Sequence, residues 1–259
     1  MTNAAAGFLV AAAISGLAWR ARSLTLWGAV TATIIGTLAV AAGWAWGLLL
    51  ILYFISSTVL SRVGRTRKEC RTSSVVAKGG ERDAVQVLAN GALFGGAALA
   101  MLVAPHAQWI ALGAGALAAS AADTWATEIG TLSRRDPRFI LDGSAVPAGT
   151  SGAISLEGTL AMLACAAFIG VLMIVLGWTS ALAIRVAFAG VFGAIVDTLL
   201  GATIQARRWC DACARETERT THDCGGETRR IRGLGWLDND LVNFLSGLAG
   251  GLLAALLSR

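Results

Sequence analysis

Apolar residues run in eight long blocks along this chain, near residues 3 to 19, 24 to 41, 45 to 60, 84 to 103, 109 to 132, 154 to 176, 179 to 204 and 241 to 257, with polar residues gathered between them. Each block approaches the roughly 20 apolar residues an α-helix needs to cross a hydrocarbon core. A backbone in lipid has to satisfy its own hydrogen bonds, so each block is expected to be helical. The expected fold is all-α: a polytopic membrane bundle of about eight transmembrane helices, a single domain over residues 1–259. Only Gly43 and its neighbours part the second block from the third, so a re-entrant pair, and a count of seven, is the alternative there. The first block has no basic run before it and no clear cleavage site after it, which favours a retained span over a signal peptide.

Composition agrees: 56% of the 259 residues are hydrophobic and mean hydropathy is +0.66, above what a soluble globular domain carries. Of 21 Lys and Arg, all but Arg185 and Arg259 fall in residues 20–23, 61–82, 133–153 and 205–240. With eight spans these segments share one side, which the positive-inside rule makes cytoplasmic. The expected location is therefore the cell's inner membrane, multi-pass, with the active site facing the cytoplasm. The net charge of +5 becomes a one-sided basic face, suited to lipid head groups or a soluble polyphosphate rather than to nucleic acid. Trp residues cluster near span ends, where amphipathic rings settle. Trp125 is the exception, and it either lines a site or packs against a neighbouring helix.

Asp123, Glu128, Glu157 and Asp197 lie inside apolar blocks whose inner halves hold no Lys or Arg. A charge within a membrane span costs at least roughly 2.5 kcal/mol, so such acids point to function. Other polar residues converge on the same end. Asp83, Gln86 and Asn90 open the fourth block on one helical face, Thr198, Gly201 and Gln205 follow Asp197, and Asp238, Asn239, Asp240 and Asn243 open the eighth block. On an ideal helix Asp123 and Glu128 stand about 140° apart, so they serve adjacent clefts or their helix is broken. Oxygen donors beside a basic rim suit Mg2+, which takes one or two carboxylates together with water and substrate phosphates. Lys78-Gly79-Gly80-Glu81-Arg82-Asp83 and Gly149-Thr150-Ser151-Gly152 lead into the fourth and sixth blocks, offering backbone amides to phosphate oxygens. The chain has no P-loop, no GxSxG elbow and no HExxH motif.

Cys210, Cys213, His222 and Cys224 place four soft ligands within 15 residues of the last long connection. That spacing fits a tetrahedral Zn2+ site. With all four positions filled by protein the expected zinc is structural, pinning a cytoplasmic insert at residues 207–232 that is too polar to bury a core. Cys70 and Cys165 carry no assigned role.

Five segments now stand out in order: Gly79 to Gly91 (GGERDAVQVLANG), Ala122 to Gly130 (ADTWATEIG), Gly149 to Ser155 (GTSGAIS), Val196 to Ala202 (VDTLLGA) and Trp236 to Phe244 (WLDNDLVNF). From about residue 60 onward they resemble the multispan membrane family known as the domain of unknown function numbered ninety-two, which includes phytyl-phosphate kinase and transmembrane protein nineteen. The resemblance implies transfer of a phosphoryl group from a nucleoside triphosphate, with CTP as the expected donor, to an isoprenyl monophosphate such as phytyl or geranylgeranyl phosphate. The acceptor's phosphate oxygen is already anionic, so positioning and charge neutralisation suffice and no His is needed. In this reading Asp123, Glu128, Asp197 and Asp240 hold one or two Mg2+ ions. Lys78, Gly79, Gly80, Arg82 and Asp83 clamp the nucleotide phosphates, while Asn90, Asn239, Asn243, Thr150, Ser151 and Gly152 orient the remaining oxygens. The prenyl tail is expected to lie between helices in the bilayer without a pocket of its own. The motifs support Glu157 less. The cysteine insert looks like one that some bacterial members carry and the plant enzymes lack. The alternative is a cation- or proton-coupled transporter or flippase of a lipid phosphate, although such sites usually sit at the midplane between inverted repeats, and these acids lie towards one face.

Overall fold

The computed structural model describes residues 2–259. Its helices are α1 (Thr2–Arg20), α2 (Leu26–Ala42), α3 (Trp44–Arg62), the short α4 (Arg65–Thr72), α5 (Ala84–Val103), α6 (Ala107–Gly130), α7 (Leu156–Val175), α8 (Ser180–Thr203) and α9 (Asn239–Leu257). Several starts are written in the sequence as side-chain caps: Thr25, Ser155, Thr179 and Asp238 each accept an amide of the first turn, and Asp83 closes a reciprocal capping box with Gln86. Five helices, α3, α5, α7, α8 and α9, are long and apolar enough to cross a membrane, and α2 is apolar but shorter.

At the centre stands α6, packed against α3, α5, α7, α8 and α9 and buried at residue 111 and from 113 to 122. Helices in lipid gain little from apolar burial and adhere through close backbone approach. Accordingly α6 meets its neighbours on small residues: Gly115 lies against Gly250 and Gly251, and Gly190 against Ala118. By contrast α1 packs chiefly on α2 at the periphery.

Gly43 alone joins α2 to α3. Its φ of +148° is one that a residue with a Cβ rarely adopts. The Arg62 guanidinium at the end of α3 donates to Ala21 O and to Ser23 Oγ at 2.8 Å. The pair is thus an antiparallel hairpin whose outer ends return to one face. The long connections meet on that face. Arg82 N donates to Ser23 O and Glu218 N to Val75 O.

Two small antiparallel sheets on this face depart from the all-α expectation. Strands β1 (Arg138–Phe139) and β2 (Ala153–Ile154) pair across one loop. Strands β3 (Arg207–Cys210), β4 (Arg215–Thr217) and β5 (Arg229–Arg232) form a sheet in the order β4-β3-β5, with Arg208 opposite Thr217 and Arg230. A segment too polar for a hydrophobic core is ordered by backbone pairing instead. The guanidinium groups of Arg207 and Arg232 sit over the Phe139 ring at 5.1 and 5.3 Å, joining the two sheets.

Candidate active site

Two acids converge inside the bundle. Asp197 of α8 lies near enough to Asp123 of α6 to feel its charge. Asp197 Oδ2 is buried and has no hydrogen-bond partner. The helix is unbroken at Asp123, and Glu128, five residues on, faces elsewhere. The adjacent-cleft alternative therefore holds. Trp125 stacks on Phe168 of α7 with centroids 5.4 Å apart, which is the packing alternative. Two like carboxylates with an orphaned oxygen are costly unless a cation joins them. The donor set, hard oxygen on both sides, suits Mg2+.

The remaining expected metal ligands already have cations. Glu128 accepts from Lys68 Nζ of α4 at 2.6 Å and from Ser61 Oγ at 2.6 Å, and Lys68 is buried. The absence of basic residues within the spans therefore misses a lysine folded in from the loop face. Asp240, in the first turn of α9, accepts from Lys78 Nζ at 2.6 Å, and the same ammonium reaches Asp83 Oδ2 at 2.9 Å. Partial burial opposes the charged Lys78, but hydrogen bonds to Asp240 and Asp83 outweigh it and raise its pKa above the ordinary value. Burial likewise works against ionised Asp83, yet the Gln86 amide and Lys78 hold its carboxyl below its usual range. Lys78, Asp83 and Asp240 form one ion cluster, with Asp83 serving also as the α5 cap.

The Gly149 to Gly152 segment ends before the start of α7, which Ser155 caps instead. Gly152, at φ +83°, packs so tightly on α8 that a Cβ would lie 2.5 Å from Ala202 Cα. Nearby, Ser151 Oγ donates to Glu218 Oε1, and the 1%-exposed Gln205 donates to the same oxygen at 2.9 Å. Glu218 reaches Asp197 electrostatically. Burial pushes its carboxyl above the ordinary range, against the opposing pull of Ser151, the Ala77 amide, Arg207 and Gln205. Nothing in the polar stretch around Glu218 marks it in advance. The segment that delivers it also donates from Arg219 Nε to Val76 O at 2.9 Å, which couples the insert to the loop bearing Lys78.

Of the other expected site residues, Asn90 Nδ2 donates to Gln86 O. Asn243 lies one turn before Ser246, which contacts Asp197. Asn239 and Glu157 are exposed, Glu157 in the first turn of α7 where a negative charge suits the helix dipole. Gly79 and Gly80 form an open turn; among the described residues, Arg65 alone places a side-chain atom within 4 Å of either would-be Cβ.

In the insert, one ligand atom from each of Cys210, Cys213, His222 and Cys224 lies within 4.8 Å of the others. Cys210 and Cys224 sulfurs are 3.6 Å apart, close to the ~3.8 Å that tetrahedral bonds of about 2.3 Å impose. Both ring nitrogens of His222 are buried without a partner, as expected of a metal ligand. The Gly226 amide, His222 and the neighbouring thiols bring the Cys224 thiol down to about 6. The four residues fit a metal ion.

Arg82 Nη2 donates to Ser61 Oγ at 3.1 Å and lines, with Gln86, Asn90 and Thr124, one end of a cavity of about 110 Å³ between α1, α2, α3 and α5.

A bundle with five helices long and apolar enough to cross a membrane defines an integral membrane protein. The chain belongs to the family described as integral membrane protein DUF92, whose model matches residues 9–251. It is 29% identical to Protein PGR of Arabidopsis thaliana, covering 96% of this chain and 94% of that protein. An uncharacterized membrane protein of Methanocaldococcus jannaschii is 27% identical over 92% of this chain and 87% of its own length. Chloroplastic Protein VTE6 of Arabidopsis thaliana is 27% identical over 90% of this chain, which spans 64% of that relative. No solved structure matches.

Proposed function

We propose that this protein is a Mg2+-dependent membrane kinase that transfers the γ-phosphoryl group of a nucleoside triphosphate, CTP by expectation, to an isoprenyl monophosphate. The observation that carries the reading is the Asp123–Asp197 pair with its unpartnered oxygen. The five segments resembling a family that includes phytyl-phosphate kinase supply the reaction class.

In the reaction an oxygen of the lipid phosphate forms a bond to the γ-phosphorus, the bond from that phosphorus to the β,γ-bridging oxygen breaks, and nucleoside diphosphate and lipid diphosphate leave. Bound Mg2+ would neutralise charge on the phosphate oxygens. Asp123 and Asp197 hold it, while Ser246 and Asn243 border the pair from α9. Lys78, tethered between Asp83 and Asp240, stands beside the site and exchanges carboxylate partners for phosphate oxygens. Glu128 and Lys68 anchor α4 rather than binding substrate. All eight long helices cross the cell's inner membrane with the loop face in the cytoplasm, where the basic residues lie. The Cys/His insert holds a structural Zn2+.

The test is purified protein incubated with γ-labelled nucleoside triphosphates, Mg2+ and a panel of prenyl monophosphates. Label is expected in a lipid diphosphate and is expected to vanish in Asp197→Asn. No transfer from any nucleotide, together with lipid-phosphate movement across liposomes, would replace the kinase with the transporter.

A further inference from the structure

The cavity beside Arg82 runs along the helices rather than across them. Its lining extends from Leu24 at the loop face to Val40 near the Gly43 hinge, roughly 20 Å of helix rise. Its walls are mostly apolar, with Ile14 from α1, Ile35 from α2, Leu50 and Phe54 from α3 and Val87 from α5, beside Ser15 and Tyr53. The floor is tight: a Cβ on Gly47 would lie 2.5 Å from Val40 Cγ2. Polar groups gather at the opposite end, where Arg82, Gln86, Asn90 and Thr124 line the opening. Thr124 is the α6 neighbour of Asp123.

Among the described residues, the Arg82 side chain makes one hydrogen bond, to Ser61 Oγ, and no ion pair. The rest of its donor fork is free for an anion. A long apolar slot closed at one end, with an unpaired guanidinium at the other, matches a molecule with one hydrocarbon chain and one anionic head. A cavity of about 110 Å³ suits one hydrocarbon chain rather than two.

We propose that this slot binds the hydrocarbon chain of a single-chain lipid phosphate, isoprenoid in type, with its phosphate on Arg82 beside Asp123. The assignment rests on the kinase reading for the identity of the head group and of the isoprenoid chain, and adds where the acceptor lies and what limits its length. Val40 sets the depth, and peripheral α1 forms the outer wall through which the chain enters from the bilayer.

The experiment is photolabelling of the full-length protein in nanodiscs, without nucleotide, by a prenyl monophosphate carrying a diazirine near its tail, with the labelled peptides mapped. Label is expected on slot residues of α1, α2, α3 and α5. It should fall at least tenfold in Ala32→Phe, and in Ile14→Trp should the first variant fail to fold. Unlabelled prenyl monophosphate should compete, whereas inorganic phosphate and two-chain phosphatidic acid should not. Label confined to outward-facing positions such as Leu160, Val171 or Ile184, label unchanged in a folded slot variant, or equal competition by phosphatidic acid would each overturn the proposal. Slot labelling without turnover sinks the kinase reading alone; turnover with label elsewhere sinks the slot alone.

Discussion

Lys78 Nζ lies 2.6 Å from Oδ2 of Asp240, a carboxylate only 6% exposed, and so ties the loop before α5 to the first turn of α9. The lysine itself is 43% exposed, so removing it strands a buried charge while its own end of the pair is open to water.

That asymmetry sets the first prediction. Lys78→Ala should lower stability by on the order of 1–3 kcal/mol, below the ~3–5 kcal/mol of a fully buried pair, and Asp240→Asn should cost less, because Lys78 keeps Asp83. The double variant should lose less than the sum. Thermal melts of the four proteins in one detergent measure the coupling.

Asp123 and Asp197 should behave in the opposite sense. Replacing either with Asn removes a like-charge repulsion, so melting temperature should hold or rise, while Mg2+-dependent transfer should fall at least 100-fold. A variant that melts earlier and keeps its rate would assign the pair to packing.

The buried Glu128–Lys68 pair predicts a stability defect without a specific catalytic one. Lys68→Met leaves Glu128 uncompensated and should cost roughly 3 kcal/mol. Adding Glu128→Leu should restore much of it. Activity per folded molecule, read beside the melts, should change less than twofold in the double variant.

Metal analysis of purified protein should find one zinc per chain. Cys210→Ser should empty the site, expose the insert to protease and lower activity through the contacts of Glu218 and Arg219 with residues 75–77. A metal-free protein with full protease resistance would contradict the structural role.

Stability should fall with rising pH through two groups, each in its own pH window. Glu218 is raised above its ordinary 4.5, so the folded state binds more protons than the unfolded one, and stability falls as pH climbs from 4.5 through the raised value. Glu218→Gln should flatten that decline. Lys78 is raised above 10.5. Its contribution is complete below 10.5 and fades as pH rises through the folded value, a fade that Lys78→Met should abolish.

Lipid imposes continuous apolar blocks, which is why the predicted block at 84 to 103 coincides with α5 and the others fall within a few residues of their helices. Asp123 and Asp197 were legible for the same reason, as charges where the medium penalises them. Their neighbours were not. Lys68 sits in a basic loop like any solvated lysine, and only the return of α4 under Leu60 and Glu128 buries it. Glu218 lies in an arginine-rich stretch whose burial depends on backbone pairing with Val75, a contact across 143 residues that no periodicity records. The slot is a property of four helices together, and each wall alone reads as ordinary membrane helix.

The Gly43 hinge has a consequence for how the chain reaches its membrane. On the face away from the loops, α2 joins α3 through one residue, α5 joins α6 through residues 104–106, and α7 joins α8 through residues 176–179. None of these turns carries Lys, Arg, Asp or Glu. In the proposed eight-span arrangement each pair enters the bilayer as a hairpin with an uncharged turn, and Arg185 near the start of α8 is the one basic residue carried across with these pairs. In that proposed arrangement the polar loop elements, from Lys78 to the cysteine insert, stay together on the side where the chain is made.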